Sequence, residues 1–325
     1  MAMMAGETPA LRLQFRLRGE CSMKKGITYW SFEGGLDGNA GIQSVLKEAK
    51  AAGFDSVELA LPGGDLTFES TEAQCRDIAK LAKSIGIEIS SVATGVYWGT
   101  SLTATNATTR KQAIEYTKKL LHAASWLGVD GVLVIPGAVD VFFDPKSEHI
   151  PYEECYKISQ ESVGACVSTA EKVKVSMCIE NVWNKFLLSP LEYRDYIDSF
   201  DSKYVKSYFD CGNVRLTGFA EDWISILGKR IGRVHWKDFK FLFFGGGESG
   251  ETGKIADGCR TIAAGSSWAG AYSFCDLGAG DVNWKNVMAA LRKVKYSGYI
   301  TAEMLPWRKG LVEQVSADMD RILKL

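Results

Sequence analysis

VSMCIENV (175–182), VKSYFDCG (205–212) and IGRVHWKDF (231–239) repeat one pattern three times. Each is a short apolar run that ends, or nearly ends, on a residue with acid–base or ligand chemistry: Glu180, Asp210 and His235. Working outward along the chain, the same kind of run recurs in GITYWSF (26–32), SVELAL (56–61), IEISSVAT (87–94), GVLVIPG (131–137) and GYITAEM (298–304). That makes eight. Apolar runs bounded by glycine read as buried parallel strands, and parallel strands need long crossovers between them. The intervening stretches supply these. In 108–128, Ile114, Leu120, Leu121 and Leu127 are candidates for an inward helix face, and Val315, Met319, Ile322 and Leu323 form one apolar stripe near the C-terminus. Eight strand-then-helix units close most simply into a (β/α)8 TIM barrel. A doubly wound open sheet uses the same parts, and the position of the polar residues favours the barrel. Glu58, Glu180, Asp210, His235 and Glu303 all fall late in their strands, and in a barrel those ends converge on one mouth, where active sites sit.

A chain of 325 residues suits one large barrel, here 23–325, preceded by an extension at 1–22 that reads as disordered or as the product of an upstream start. Residues 241–275, rich in Gly, Ala and Ser, are long for a strand-to-helix connection and read as an inserted loop, with a lid, a partner contact and a disordered excursion all open. Charge is balanced, 38 Lys plus Arg against 39 Asp plus Glu, so no basic excess exists to neutralise nucleic acid. Eight cysteines without a C-x-x-C pair read as reduced thiols of a cytoplasmic protein. No apolar run reaches the ~18 residues a membrane span needs. A homo-oligomer is compatible with all of this.

Carboxylates at a strand end that opens on a core are expensive without a partner. Three gathered at one mouth would raise each other's pKa unless a cation stood among them, and one imidazole with three carboxylates is a complete ligand set. Glu180, Asp210, His235 and Glu303 are therefore the candidate metal site. The oxygen-rich shell favours one divalent ion, Mn²⁺ first, with Mg²⁺, Co²⁺ or Zn²⁺ compatible. The competing reading pairs each acid with a cation at the rim, for which Lys237, Lys240, Arg215 and Lys185 are available. GGGESGETGKI (245–255) fails as a phosphate loop because Glu248 and Ile255 stand where Gly and Ser or Thr are required. Gly278-Ala-Gly280 lacks the third glycine of a dinucleotide fingerprint and reads as a turn into a helix starting near Asn283. Trp30, Trp98 and Trp183 are either walls of a ligand pocket or packing.

IENVWN (179–184), FDCGN (209–213), VHWKDFK (234–240), LGAGDVNW (277–284) and AEM (302–304) resemble, in order, the strand-end blocks of the sugar phosphate isomerases and epimerases with a xylose isomerase-like TIM barrel. The nearest likeness is to the ketose 3-epimerase branch represented by L-ribulose-5-phosphate 3-epimerase. The resemblance implies that Glu180, Asp210, His235 and Glu303 bind the metal, that Glu180 and Glu303 are the acid/base pair, and that the substrate is a small sugar or sugar phosphate. Glu58, Asn213 and Lys240 are the candidate substrate contacts. Two departures matter. Relatives acting on free ketoses carry Asp-x-x-His where this chain has Asp210-Cys-Gly-Asn213, and an arginine six residues past the metal histidine where this chain has Phe241. DNA-repair endonucleases share the barrel, but their three-zinc site consumes many histidines and this chain has three in all, His122 and His149 being placed in a helix and a loop. The implied activity is epimerisation at C3 through a cis-enediolate. An aldose-ketose isomerase, a metal-dependent sugar dehydratase and a barrel that binds sugar without turning it over remain alternatives.

Overall fold

The computed structural model describes residues 23–141, 143–144, 146–241 and 272–325. Within them eight parallel strands close into a barrel: β1 (Lys24–Thr28), β2 (Ser56–Ala60), β3 (Glu88–Ala93), β4 (Gly131–Val134), β5 (Ser176–Glu180), β6 (Val205–Asp210), β7 (Ile231–Trp236) and β10 (Tyr299–Ala302), with β1 pairing both β2 and β10. The helices between them are α1 (Ile42–Ala51), α2 (Glu72–Ile85), α3 (Ala107–Leu127), α4 (Tyr152–Val173), α5 (Pro190–Asp198), α6 (Ala220–Leu227), α7 (Trp284–Lys293) and α8 (Leu311–Ile322). Strands β2, β4 and β5 are buried at every residue, which is why they read as unbroken apolar runs. Leu120, Leu121 and Leu127 of α3 and Val315, Met319 and Ile322 of α8 are buried as their spacing predicts, while Ile114 is only partly covered. Helix ends follow local chemistry. Thr71 and Gln74 form a reciprocal capping box on α2, Asn283 caps α7, and Gly128 ends α3 in the left-handed region. None of the described helices is long and apolar enough to cross a membrane.

Two shifts of register set the barrel's interior. Between β6 and β7 the pairing skips Gly232, bringing Asp210 opposite His235; between β2 and β3 it skips Ser90, bringing Glu58 opposite Ser91. An extra residue on one strand restores the facing of everything beyond it, so each pair points the same way.

The sequence reading makes 231–239 one strand, and the structure divides it. At Lys237 the chain leaves the barrel, and β8 (Asp238–Phe241) pairs antiparallel with β9 (Tyr272–Cys275) above the mouth. The reason is Asp238, whose fully buried carboxylate accepts hydrogen bonds from the backbone N–H groups of Phe239, Gly278, Gly280 and Val282 and from Trp284 Nε1, at 2.8–3.2 Å. A buried carboxylate so satisfied fixes both the exit of β7 and the turn into α7. Of the expected insertion at 241–275, the flanks are this hairpin, and 242–271 lies outside the described residues, as does the extension at 1–22.

Gly280 has no room for a side chain, because a Cβ there would stand 2.1 Å from Asp238 Oδ1. Gly280→Ala is expected to cost about 1–3 kcal/mol, read as a lower midpoint of thermal unfolding. An unchanged midpoint would show that the Asp238 turn is not under this constraint.

Candidate metal centre

Four neighbouring barrel strands each deliver one side chain to the same mouth. Glu180 ends β5, Asp210 ends β6, His235 is next to last in β7, and Glu303 follows β10 directly. All four are buried, and one ligand atom from each lies within 4.8 Å of the others. His235 Nδ1 stands 3.1 Å from Glu180 Oε1, 3.0 Å from Glu303 Oε2 and 4.0 Å from Asp210 Oδ2. In barrel order the row runs Glu303, His235, Asp210, Glu180, so the two glutamates stand at its ends.

Neighbouring groups aim each ligand. Asp210 Oδ1 accepts from the backbone N–H groups of Gly212 (2.8 Å) and Asn213 (2.7 Å), which leaves Oδ2 for the cage. The Asn181 side chain bridges β5 to β6 by accepting from Asp210 N and donating to Asp210 O, both at 2.9 Å, and Asn213 Nδ2 donates to Asn181 O. His235 Nε2 lies 2.9 Å from Glu58 Oε1, while Glu58 Oε2 accepts from the Ser91 hydroxyl at 2.7 Å and from the Tyr208 hydroxyl. With Nε2–H given to Glu58, Nδ1 is the nitrogen that faces the carboxylates.

Burial pushes the carboxyls of Glu180 and Asp210 above their ordinary range. Burial acts on Glu303 too, but the Lys237 ammonium and the His235 imidazole outweigh it and hold that carboxyl low. Glu58 is likewise held low: its burial is overcome by His235 and by the two hydroxyls it accepts from. Burial disfavours a charged His235, yet Tyr208, Glu58 and Glu303 together hold it well above its usual value. Asp210 Oδ2 and Glu303 Oε2 are buried and accept no hydrogen bond of good geometry, although Lys237 Nζ comes within 3.2 Å of the first and 2.8 Å of the second. Orphaned buried oxygens beside an imidazole nitrogen are a donor set that fits a divalent ion of hard to borderline character.

The other expected contacts lie elsewhere. Glu58 is wholly buried, with Oε1 on His235 Nε2. Asn213 is spent on holding the Asp210 turn, with its side chain on Asn181 O. Lys240 is exposed on β8, opposite Ser273. Of the four cations available to the acids, Lys237 reaches the cage, whereas Lys185 pairs with Asp140 at 2.5 Å and Arg215 donates to Asp281 O. The signal for Lys237 was in the sequence: two residues past His235, it shares that residue's face of an extended strand. Asn181 carried no such signal, because its role depends on the β5–β6 pairing.

Trp183 is packed against its neighbours and also lines a cavity. Its indole donates to Asn213 O at 3.0 Å and stacks on Phe274 of β9 with centroids 4.8 Å apart, and it also lines a cavity of about 230 Å³ with Leu188, Leu216 and Trp223. That cavity touches Asn181 and Asn213 but none of the four cage ligands. Trp98 packs edge-on against Phe143, and Trp30 packs on the core.

The Glu58–His235 bond makes a measurable claim. Glu58→Gln is expected to weaken Mn²⁺ binding to metal-stripped protein by roughly 10–100-fold in calorimetry, as loss of an outer partner of a ligating histidine does. Unaltered affinity would mean that Glu58 does not orient the imidazole.

Among curated proteins, no sequence matches this chain. Solved structures do. A D-psicose 3-epimerase from Clostridium cellulolyticum H10, crystallised with D-tagatose, superposes with a TM-score of 0.69 at 18% identity, covering 93% of this chain and 99% of that one. An L-ribulose 3-epimerase gives 0.69 at 15%, covering 93% and 95%. The IolI protein with a bound zinc atom gives 0.68 at 14%, covering 93% and 98%. Identities this low speak for the fold. The family model described as xylose isomerase-like TIM barrel matches residues 46–319, and with the closed eight-stranded barrel and its strand-end ligands already in place, the chain belongs to that family.

Proposed function

We propose that this chain is a divalent-metal-dependent epimerase that inverts C3 of a ketose or ketose phosphate through a cis-enediolate, with Glu180 and Glu303 as its acid/base pair. The observation that carries this reading is the row of four ligands with a glutamate at each end. Epimerisation removes a proton from one face of a carbon and returns one to the other, which calls for two positioned acid/base groups. The solved neighbours that are 3-epimerases of ketoses support the same chemistry.

Glu180, Asp210, His235 and Glu303 would hold the ion, Mn²⁺ by preference, and the zinc atom bound by the IolI neighbour supports a divalent cation in this position. When bound, such an ion polarises the ketose carbonyl and stabilises the negative charge that develops on it. The chain's own residues do the rest. One glutamate takes the C3 proton as the carbon becomes planar, and the other delivers a proton from the opposite face. Glu58 keeps the imidazole in its tautomer, and Asn181 with Asn213 keeps Asp210 turned inward.

Purified protein is expected to hold about one divalent ion per chain, to lose activity on chelation and to regain it with Mn²⁺ or Co²⁺. Full activity after exhaustive chelation would sink the reading. A screen of free and phosphorylated ketoses with Mn²⁺, followed by NMR, identifies the substrate.

Glu→Gln at position 180 or 303 separates the possible reactions. Either change is expected to lower epimerisation beyond the ~10²–10⁴-fold usual for one general base, since ligation weakens as well. In deuterated water the variant lacking only the reprotonating residue should still exchange the C3 proton of the starting sugar. Identical loss of exchange with both epimers would contradict two-face transfer, and deuterium at C1 of the ketose with an aldose product would establish an isomerase.

A further inference from the structure

The epimerase reading gives no task to the cavity lined by Trp183. It measures about 230 Å³ and lies between the segments that follow β5 and β6, on the face of the barrel where Glu180 and Asp210 end their strands. Its floor is buried and apolar: Phe186, Leu187, Val214 and Trp223 are each at most 3% exposed. Its rim is open to solvent, through Leu188 at 47% and the exposed Thr217. The polar groups of its wall are committed to other partners. The Asn181 side chain holds the Asp210 backbone, the Trp183 indole donates to Asn213 O, and Lys185 pairs with Asp140. The surface left to face the cavity is chiefly carbon.

The wall is also held away from the space it borders. Lys185 and Leu187 have φ of 55° and 57°, the left-handed region that residues with a side chain seldom adopt, a bulky leucine least of all. Three hydrogen bonds fix them there: Phe186 N–H donates to Asn184 Oδ1 at 3.1 Å, Leu187 N–H to the Tyr152 hydroxyl at 3.0 Å, and Leu188 N–H to Glu192 Oε2 at 3.1 Å. Such backbone persists only where its surroundings over-determine it, and here they prevent the collapse that would recover the packing an apolar void forfeits.

We propose that this cavity is a binding site for a single aromatic ring or an alkyl group of similar size. An apolar cavity of about 150 Å³ takes up benzene, so the larger volume here admits a ring with a small substituent. The ring is carried either by the substrate or by a separate apolar molecule. Either source would set it against Asn181 and Asn213, the residues that hold Asp210. The site does not depend on the metal reading.

Phenol is the first probe, titrated by calorimetry into the full chain as wild type, as Leu216→Trp, which fills the cavity from its wall, and as Leu191→Trp, the same change at an exposed leucine outside it. Saturable binding is expected with a Kd below about 1 mM, weakened at least about tenfold in Leu216→Trp and unchanged in Leu191→Trp. Absence of saturation, or equal binding by Leu216→Trp, overturns the proposal. Crystals of the unaltered chain soaked in para-bromophenol decide the question even if the tryptophan variant fails to fold: bromine located between Leu188, Leu216 and Trp223 supports the site, and bromine only elsewhere overturns it. The ketose formed from glucose and aniline by Amadori rearrangement, which carries a phenyl ring, then separates the sources. With Mn²⁺ present, binding at least about tenfold tighter than phenol assigns the ring to the substrate, and a smaller gain assigns it to a separate apolar molecule, the site standing in both cases. Failure of the chain to take up Mn²⁺ would remove the metal reading and leave the phenol result untouched.

Discussion

Like charge held in a confined space governs this molecule. Glu180, Asp210 and Glu303 converge from three strands on a volume whose ligand atoms lie within 4.8 Å of one another, and Glu58 stands just behind. Carboxylates removed from water and set side by side are unfavourable twice over, through desolvation and through mutual repulsion. Positive charge beside them, or protonation of a carboxyl, relieves both costs. In this structure His235 and Lys237 provide it, His235 by bridging the front and rear acids and Lys237 by leaning on the front pair.

The surrounding architecture follows from aiming these groups. Asp210 points inward because two backbone N–H groups of its own turn capture one carboxylate oxygen and leave the other. His235 presents Nδ1 because Glu58, itself fixed by Tyr208 and Ser91, engages Nε2. Asp238 ends the same strand by gathering five donors, so the end of β7 and the start of β8 place a candidate ligand, a cation and a structural anchor within four residues, His235 to Asp238. Side chains locked in this way hold a reacting centre to the small tolerances that proton transfer between adjacent groups demands.

Low identity to the solved neighbours, 14–18% in the three described, coexists with nearly full coverage. A barrel tolerates that divergence because its core asks only for apolar volume, whereas its chemistry sits in a few strand-end positions. The same separation is why shared fold does not by itself pass on a reaction.

The sequence alone determined the eight-fold alternation and which four residues meet at the mouth, because both are written in local pattern: apolar runs of strand length, helical stripes such as Val315, Met319 and Ile322, and a polar residue at the end of a run that should have stayed apolar. It also contained Lys237 as an available cation without saying which acid it would meet. Only the tertiary structure decided the rest. Glu58 looks like the other strand-end acids in sequence, but it sits mid-strand in β2, and the shift of register against β3 sets it beside Ser91, with its carboxylate on Ser91 and His235. Lys240 and Lys237 are equivalent by composition, and the exit of the chain from the barrel at Lys237 sends one into the cage and the other to the surface. Period and polarity are properties of a single strand, whereas register and strand exit are set by pairing between segments far apart in the chain.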